Sequence, residues 1–214
     1  ISPSRFVTKE IVKLGIDKNK LFTIPFGVNL KQDLSKVSNE SIQKDGIDYC
    51  FAGTINNRKG IKYLLEAWND NRFKGDRLHL CGRLYPEVEK LIKEYGFSNV
   101  KTPGFVNTEE YFQQCDVYVF PSLLEGSSKS IYEAMASGLP CIVTENSGSI
   151  ILDGNDGFII DVADSSIIKE KMLYFKENPE EIERMGQNAL NNVQKFTWEN
   201  YGKNIIDIYK KVAQ

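Results

Sequence analysis

Residues 115–144 read CDVYVFPSLLEGSSKSIYEAMASGLPCIVT, and the fold follows from them. Val117 to Phe120 is an unbroken apolar run of β-branched and aromatic residues stopped by Pro121, the pattern of a strand buried on both faces of a parallel sheet. A polar loop, Ser122 to Ser128, follows it. Next comes a helix with Ile131, Ala134 and Met135 on one face, closed by Gly138 and Pro140. Cys141 to Val143 is the next strand. In an open α/β sheet such a loop lies at the carboxyl end of a strand, where these folds take their ligands. It carries Glu125, and Glu133 follows in the helix. A local reading stands beside the functional one. Ser130-Ile-Tyr-Glu133 satisfies the capping-box pattern, and Glu125 reads equally as a solvated loop acid.

Outward from this unit, strands and helices alternate from Ile47 onward, which marks a parallel sheet with crossover helices. Tyr49 to Ala52 is the first strand, and Ile61, Leu64, Leu65 and Trp68 stripe the first helix at i, i+3, i+4 and i+7. Leu78 to Cys81 is the second strand, followed by a helix with Val88, Leu91, Ile92 and Tyr95 on one face. A third strand is expected near Val100 to Thr102 and a helix over Thr108 to Cys115. The common doubly wound order 3-2-1-4-5-6 makes the first and fourth strands neighbours where the winding reverses, so the crevice between their loops is the expected site. The first strand delivers Gly53 to Gly60, GTINNRKG, into it. Its glycines admit close backbone approach, and Arg58 and Lys59 precede a helix N-terminus, which suits a diphosphate.

At the chain's start, Phe6 to Leu14 reads as a helix and Leu21 to Phe26 as a strand; Lys31 to Gly46 is polar and reads as a linker. After the core, Phe158 to Ile160 is a strand, and Ile167 to Lys176 and Pro179 to Lys195 read as surface helices. Trp198, Tyr201, Ile205, Ile208, Tyr209 and Val212 stripe a terminal helix that Thr197 can cap.

Composition narrows the function classes. The 214 residues are 41% hydrophobic and 26% charged with a net charge of −2, an ordinary globular balance without the basic field that nucleic acid demands. No apolar run approaches the ~20 residues of a membrane span. The chain opens at Ile1 and not at Met, which reads as part of a longer protein. Cys50, Cys81, Cys115 and Cys141 fall in or beside strands with no C-x-x-C pair and read as buried free thiols. His79 is the one histidine, read as a satisfied strand residue, so a zinc site or a Ser-His-Asp triad is not expected. No D-x-D occurs. An oxidoreductase reading lacks G-x-G-x-x-G at the first turn.

The segment EGSSKSIYEAMASGLPCIVT, directly after a strand ending in Pro121-Ser122, resembles the donor-site signature of retaining glycosyltransferases of family 4, which have the GT-B fold. GTINNRKG resembles the same family's phosphate loop, Gly104-Phe105-Val106 its nucleobase segment, and Asp153-Gly154-Asn-Asp-Gly157 a further family turn. The resemblance implies the Rossmann-like, nucleotide-sugar-binding half of a GT-B enzyme. Residues 1–30 would then be the last helix and strand of an acceptor-binding domain, 31–46 a linker, 47–196 the donor domain and 197–214 a helix that crosses back. It implies that Glu133 binds the ribose hydroxyls and that Glu125 lies by the donor sugar. The amides of Ser127, Ser128, Lys129 and Ser130 would cradle the diphosphate, with Gly53, Thr54, Arg58, Gly104, Val106 and Gly126 completing the donor site. Lys59 matches the family's phosphate lysine. Thr54 stands where the family carries an arginine, so a helper is expected among Arg58, Arg83 and Lys129. Phe26, Asn29 and Ser149 also depart from the family's pattern. Sugar transfer from a UDP- or GDP-linked donor to a glycan or lipid-linked acceptor, as in polysaccharide or capsule synthesis, is the implied activity, with Lys59 and Glu125 at the reacting centre and no metal. The implied setting is cytoplasmic, with room for peripheral association of a longer protein with the membrane. A non-catalytic module on the same fold is the competing expectation, favoured by Thr54, Phe26 and Ser149.

Overall fold

The computed structural model describes residues 1–30 and 45–213; the expected linker falls outside the described residues except for its last two. Six strands form one parallel sheet in the order β3-β2-β1-β4-β5-β6: β1 Asp48–Ala52, β2 Arg77–Cys81, β3 Val100–Gly104, β4 Val117–Phe120, β5 Cys141–Thr144 and β6 Gly157–Ile160. This is the expected doubly wound order, with β1 and β4 adjacent through the pairs Tyr49↔Val117 and Cys50↔Tyr118. Every residue of β1, β4 and β5 is buried, which explains why these strands read as continuous apolar runs. α2 Ile61–Trp68 and α3 Pro86–Tyr95 pack on one face with α6 Ser165–Glu177. α5 Lys129–Ala136 packs on the other with α7 Glu180–Val193 and the short α4 Thr108–Tyr111. α1 Arg5–Lys13 and α8 Trp198–Val212 flank this core.

The core is aromatic at its centre. Phe51 of β1 stacks on Phe120 of β4 with ring centroids 5.3 Å apart, and Trp68 of α2 stacks on Phe73 at 4.9 Å. Each fully buried large side chain contributes about 1.5–3 kcal/mol of transfer free energy. At the sheet's amino end Asp48 is bound by Arg77 and by His79 Nε2 (2.8 Å), while His79 Nδ1 meets the Tyr111 hydroxyl at 2.8 Å. His79 is therefore a satisfied structural residue on the side of the sheet away from the expected crevice. The four cysteines are buried and free.

Three expectations are corrected. Leu21 to Phe26 forms no strand: among the described residues it makes only the Ser2↔Thr23 bridge, and Val28 bridges to Thr197. Pro25 removes a donor from this run, and among the described residues no strand lies beside it to extend the ladder. The Thr108 to Cys115 helix is one α turn followed by a 3-10 turn over Phe112–Gln114, because Phe112 turns into the core and Cys115 is already extended. α6 and α7 are more than surface helices. Met172, Phe175, Met185, Ala189 and Val193 all lie in the core, and Gly186 is small because a Cβ there would land on the Gly138 carbonyl. Thr197 caps α8 as expected, accepting from the Asn200 amide at 3.1 Å. α8 buries none of its residues; Trp198, Tyr209 and Val212 of its stripe are exposed, as is Ile206 beside it.

Candidate functional site

The loop after β1 runs back over the end of β4. Asn56 Oδ1 accepts from the Lys59 amide (3.1 Å), which closes a 3-10 turn over Asn57–Lys59, and Gly60 follows at φ +74°. A side chain at Gly60 would collide with the Pro121 carbonyl, so the start of α2 can lie against the end of β4 only because that residue is glycine. The two loops are then tied together. The Arg58 carbonyl accepts from the Leu123 amide (2.9 Å) and from Ser122 Oγ (3.3 Å), and Arg58 Nη1 donates to the Leu124 carbonyl (2.8 Å).

This closure brings Lys59, Arg58 and Glu125 together. Lys59 Nζ and Arg58 Nη1 each stand 2.5 Å from Glu125 Oε1. Only 11% of the Lys59 side chain is exposed and 17% of Glu125, against 54% for Arg58. Lys59 also lies over the Phe120 ring, 4.9 Å from its centroid. One carboxylate beneath two cations leaves the cluster a net positive charge at the carboxyl ends of β1 and β4, where a polyanion is attracted.

The loop after β4 is fixed from the β5 side. The Glu125 amide donates to the Asn146 carbonyl (2.8 Å) and the Ser128 amide to the Ser147 carbonyl (3.2 Å). Asn146 Nδ2 reaches the Leu123 carbonyl at 2.8 Å. Ser4 Oγ, from the segment before α1, donates to the Gly126 carbonyl at 2.6 Å. Of the amides expected to cradle a diphosphate, that of Ser128 is thus turned inward. Those of Ser127, Lys129 and Ser130, with the amide of Gly126, are the ones an anion at the α5 N-terminus can meet. The buried Tyr118 hydroxyl, 2.7 Å from Ser130 Oγ and 3.2 Å from the Ala52 carbonyl, holds that N-terminus against β1; burial pushes its phenol well above the ordinary tyrosine range.

The capping-box reading of Glu133 does not hold. α5 begins at Lys129 with Ser128 as its N-cap, so Ser130 already lies inside the helix. Glu133 instead turns outward and accepts from Thr108 Oγ1 at the start of α4 (3.1 Å). It lines a cavity of about 330 Å³ walled by Lys129 and Glu133 of α5 and Ser137 just after it, by Asn107 and Thr108, and by Asn29 and Trp198. Lys129 lies one turn before Glu133 and places Nζ over the rings of Trp198 (5.4 Å) and Phe26 (5.9 Å).

The candidate residues therefore fall into two adjoining groups: Lys59, Arg58 and Glu125 at the loop closure, and Lys129 and Glu133 on the cavity, with the α5 N-terminus between them. Gly53 and Thr54 follow β1, the Gly53 amide donating to the Cys81 carbonyl at 2.9 Å. Gly104, at φ +79°, ends β3 and Val106 follows it, both outside the cavity lining. Arg83 stacks over Tyr85 at 5.2 Å. Thr108, Asn29 and Trp198 belong to the cavity and carried no role in the sequence reading. Nothing in their local pattern marks them, since each reaches the site only through the packing of a chain-distant segment. Among the described residues no group of three His, Cys, Asp or Glu side chains is placed to hold a metal ion, and no helix is long and apolar enough to cross a membrane.

Comparison with known proteins bears on this geometry. The family described as glycosyl transferases group 1 matches residues 35–211. An uncharacterized glycosyltransferase of Methanocaldococcus jannaschii is 28% identical over 201 residues, 92% of this chain and 55% of that protein. An alpha-(1->4)-mannosyltransferase of Mycolicibacterium hassiacum is 29% identical over 216 residues, 94% of this chain and 51% of its own length. The chain spans about half the length of the curated relatives it matches. Among solved structures, an Anabaena protein in complex with UDP and glucose superposes with a TM-score of 0.83 at 18% identity, covering 98% of this chain and 62% of that one. That likeness is one of fold, the Rossmann-like half of a GT-B architecture.

Proposed function

The chain belongs to the group 1 glycosyl transferases, and from that premise we propose that its β1–β4 crevice binds a nucleoside-diphosphate sugar, UDP- or GDP-linked, whose sugar the whole protein transfers to a glycan or lipid-linked acceptor. The observation that carries this reading is the pairing of two adjoining sites on either side of the α5 N-terminus. A cationic cluster built on Lys59 stands at the crevice, and Glu133, held by Thr108, lines a cavity of nucleoside size beside it. The mannosyltransferase among the relatives and the UDP-bound structural neighbour support a hexosyl nucleotide as donor.

In this reading Glu133 accepts hydrogen bonds from the ribose hydroxyls, and the amides of Gly126, Ser127, Lys129 and Ser130 meet the diphosphate with Gly53 and Thr54 opposite them. Gly104 and Val106 present backbone to the base. As the bond between sugar and diphosphate breaks, its electron pair passes to the diphosphate oxygen. Lys59 and the α5 N-terminus stabilise the charge that develops there. Glu125 holds Lys59 in place from one side and orients the sugar from the other. We assign the chain to the retaining family 4 branch, because its EGSSKSIYEAM segment keeps both glutamates of that family's signature. Cations and amides stand where a metal would otherwise neutralise the diphosphate, so transfer without a metal is part of the proposal. The acceptor is met by parts of the protein other than the donor domain, so residues 1–214 are not expected to transfer sugar on their own. The proposed setting is the cytoplasm or the cytoplasmic face of a membrane, where nucleotide sugars and lipid-linked acceptors meet.

The test is a thermal-shift panel of UDP, GDP, ADP and their sugars, with and without EDTA. A ligand at a hundredfold excess over its dissociation constant stabilises the native chain by ~2.7 kcal/mol, a shift of several degrees. One nucleotide and its sugar are expected to give it irrespective of EDTA. A shift abolished by EDTA and restored by magnesium overturns the metal-free part, and a panel without any shift overturns the donor site.

A further inference from the structure

The site carries cations for its anionic ligand unequally, and the difference assigns a role to Lys129. Arg58 is engaged by the Glu125 carboxylate and the Leu124 carbonyl. Arg83 stacks on Tyr85. Lys129 lines the cavity, stands at the first position of α5, and makes no ion pair among the described residues; its ammonium rests on the faces of Trp198 and Phe26. A cation over aromatic faces at a solvent-exposed site is held by only about 0.5–1 kcal/mol. A phosphate competes with that easily.

Spacing supplies the second half of the argument. Lys129 and Glu133 are i and i+4, so their Cβ atoms lie about 5–6 Å apart on one face of α5. They line the same cavity without forming an ion pair. A carboxylate suited to a vicinal diol therefore sits one helical turn from an ammonium suited to an anion. A ribose carrying a 5′-phosphate presents those two groups at about that separation, and the phosphate end lies toward the α5 N-terminus, where the dipole favours it.

We propose that Lys129 is a donor-binding residue that contacts the phosphate next to the ribose, leaving Trp198 and Phe26 to do so, and that it supplies the positive charge missing at Thr54. The inference rests on the donor-site reading above. It adds a consequence of its own: nucleotide binding withdraws a cation from Trp198 at the start of α8, so occupancy of the donor site is felt where α8 meets the Phe26–Asn29 segment.

The experiment titrates UDP, GDP, uridine and guanosine into the chain and into Lys129→Met and Lys129→Arg by calorimetry, following tryptophan emission in parallel. Trp68 is 2% exposed and acts as a constant background; Trp198→Phe identifies the responding ring. Lys129→Met is expected to weaken whichever diphosphate binds by roughly tenfold, to leave its nucleoside unaffected, and to abolish the emission change; Lys129→Arg restores most of the affinity. Equal binding of the diphosphate by Lys129→Met and the unaltered chain overturns the inference while leaving the donor site standing. Equal weakening of diphosphate and nucleoside does the same. An unaltered chain that binds neither UDP nor GDP overturns both.

Discussion

Lys59 Nζ stands 2.5 Å from Glu125 Oε1, so the cation brought by the β1 loop and the acid brought by the β4 loop hold each other across the crevice. The pair is mostly removed from solvent, and Phe120 packs beneath the ammonium. Glu125 therefore does two things: it restrains Lys59, and it subtracts charge from the place where a diphosphate would bind.

From this relationship, Glu125→Gln is expected to tighten binding of the bare diphosphate by a few fold, because a negative charge leaves the site, while sugar transfer by the whole protein falls. The chain should also lose about 1–3 kcal/mol of stability, since Lys59 is left without its anion. Calorimetry with UDP or GDP beside a urea titration checks both. Weaker diphosphate binding in the variant would show that Glu125 helps to hold the phosphates.

Glu133→Gln is expected to weaken nucleoside, nucleoside diphosphate and nucleotide sugar alike by ~1.5–3 kcal/mol, the range for hydrogen bonds to a charged group. Thr108→Val, which removes the donor that fixes Glu133, should reproduce a smaller share of that loss, about 1 kcal/mol, in the same ligands. Unchanged nucleoside affinity in Glu133→Gln would remove the ribose role.

Gly60→Ala places a methyl group against the Pro121 carbonyl at a backbone angle of +74°. It should cost at least about 2 kcal/mol in a urea titration and lower donor affinity as well, because the same contact seats Lys59. Loss of stability with donor affinity intact would separate the loop closure from the site.

Alkaline stability follows from the buried phenols. Burial raises the Tyr49 and Tyr118 hydroxyls well above the ordinary tyrosine value and Tyr111 to about 12. The unfolded chain releases these protons near pH ~10 while the native chain keeps them. Their contribution is complete below ~pH 10 and is lost as pH rises through the folded values. The urea midpoint should fall from about pH 10 upward, and Tyr118→Phe should make that decline shallower by one proton while removing the contacts to Ser130 and Ala52. An equal slope in Tyr118→Phe would mean that Tyr118 does not titrate differently in the two states.

Much was legible in local pattern. A strand buried on both faces cannot alternate, so Val117–Phe120 and Tyr49–Ala52 announced themselves as central strands, and the apolar spacing of Ile61 to Trp68 marked a helix with one buried face. The alternation of such elements marks a doubly wound sheet, and the observed order is the common one expected for it. Segments whose state depends on a neighbour were read less well. Leu21–Phe26 has strand composition but finds, among the described residues, no partner strand to complete a ladder, and the capping-box spelling of Ser130 to Glu133 is overruled because α5 begins two residues earlier than that motif needs.

By itself, then, the sequence determined the α/β class, the central strands and the loops that follow them, because period, turn residues and burial are properties of a few adjacent residues. The tertiary structure decided which charges meet. Glu125 could have been a solvated acid and Glu133 a cap; the first became the partner of Lys59 and Arg58, the second the partner of Thr108, and Lys129 came to rest on Trp198 and Phe26. A side chain's periodicity is written in its neighbours along the chain. Its electrostatic partner is set by the close packing of segments tens of residues apart, where a single glycine such as Gly60 determines whether two loops can touch.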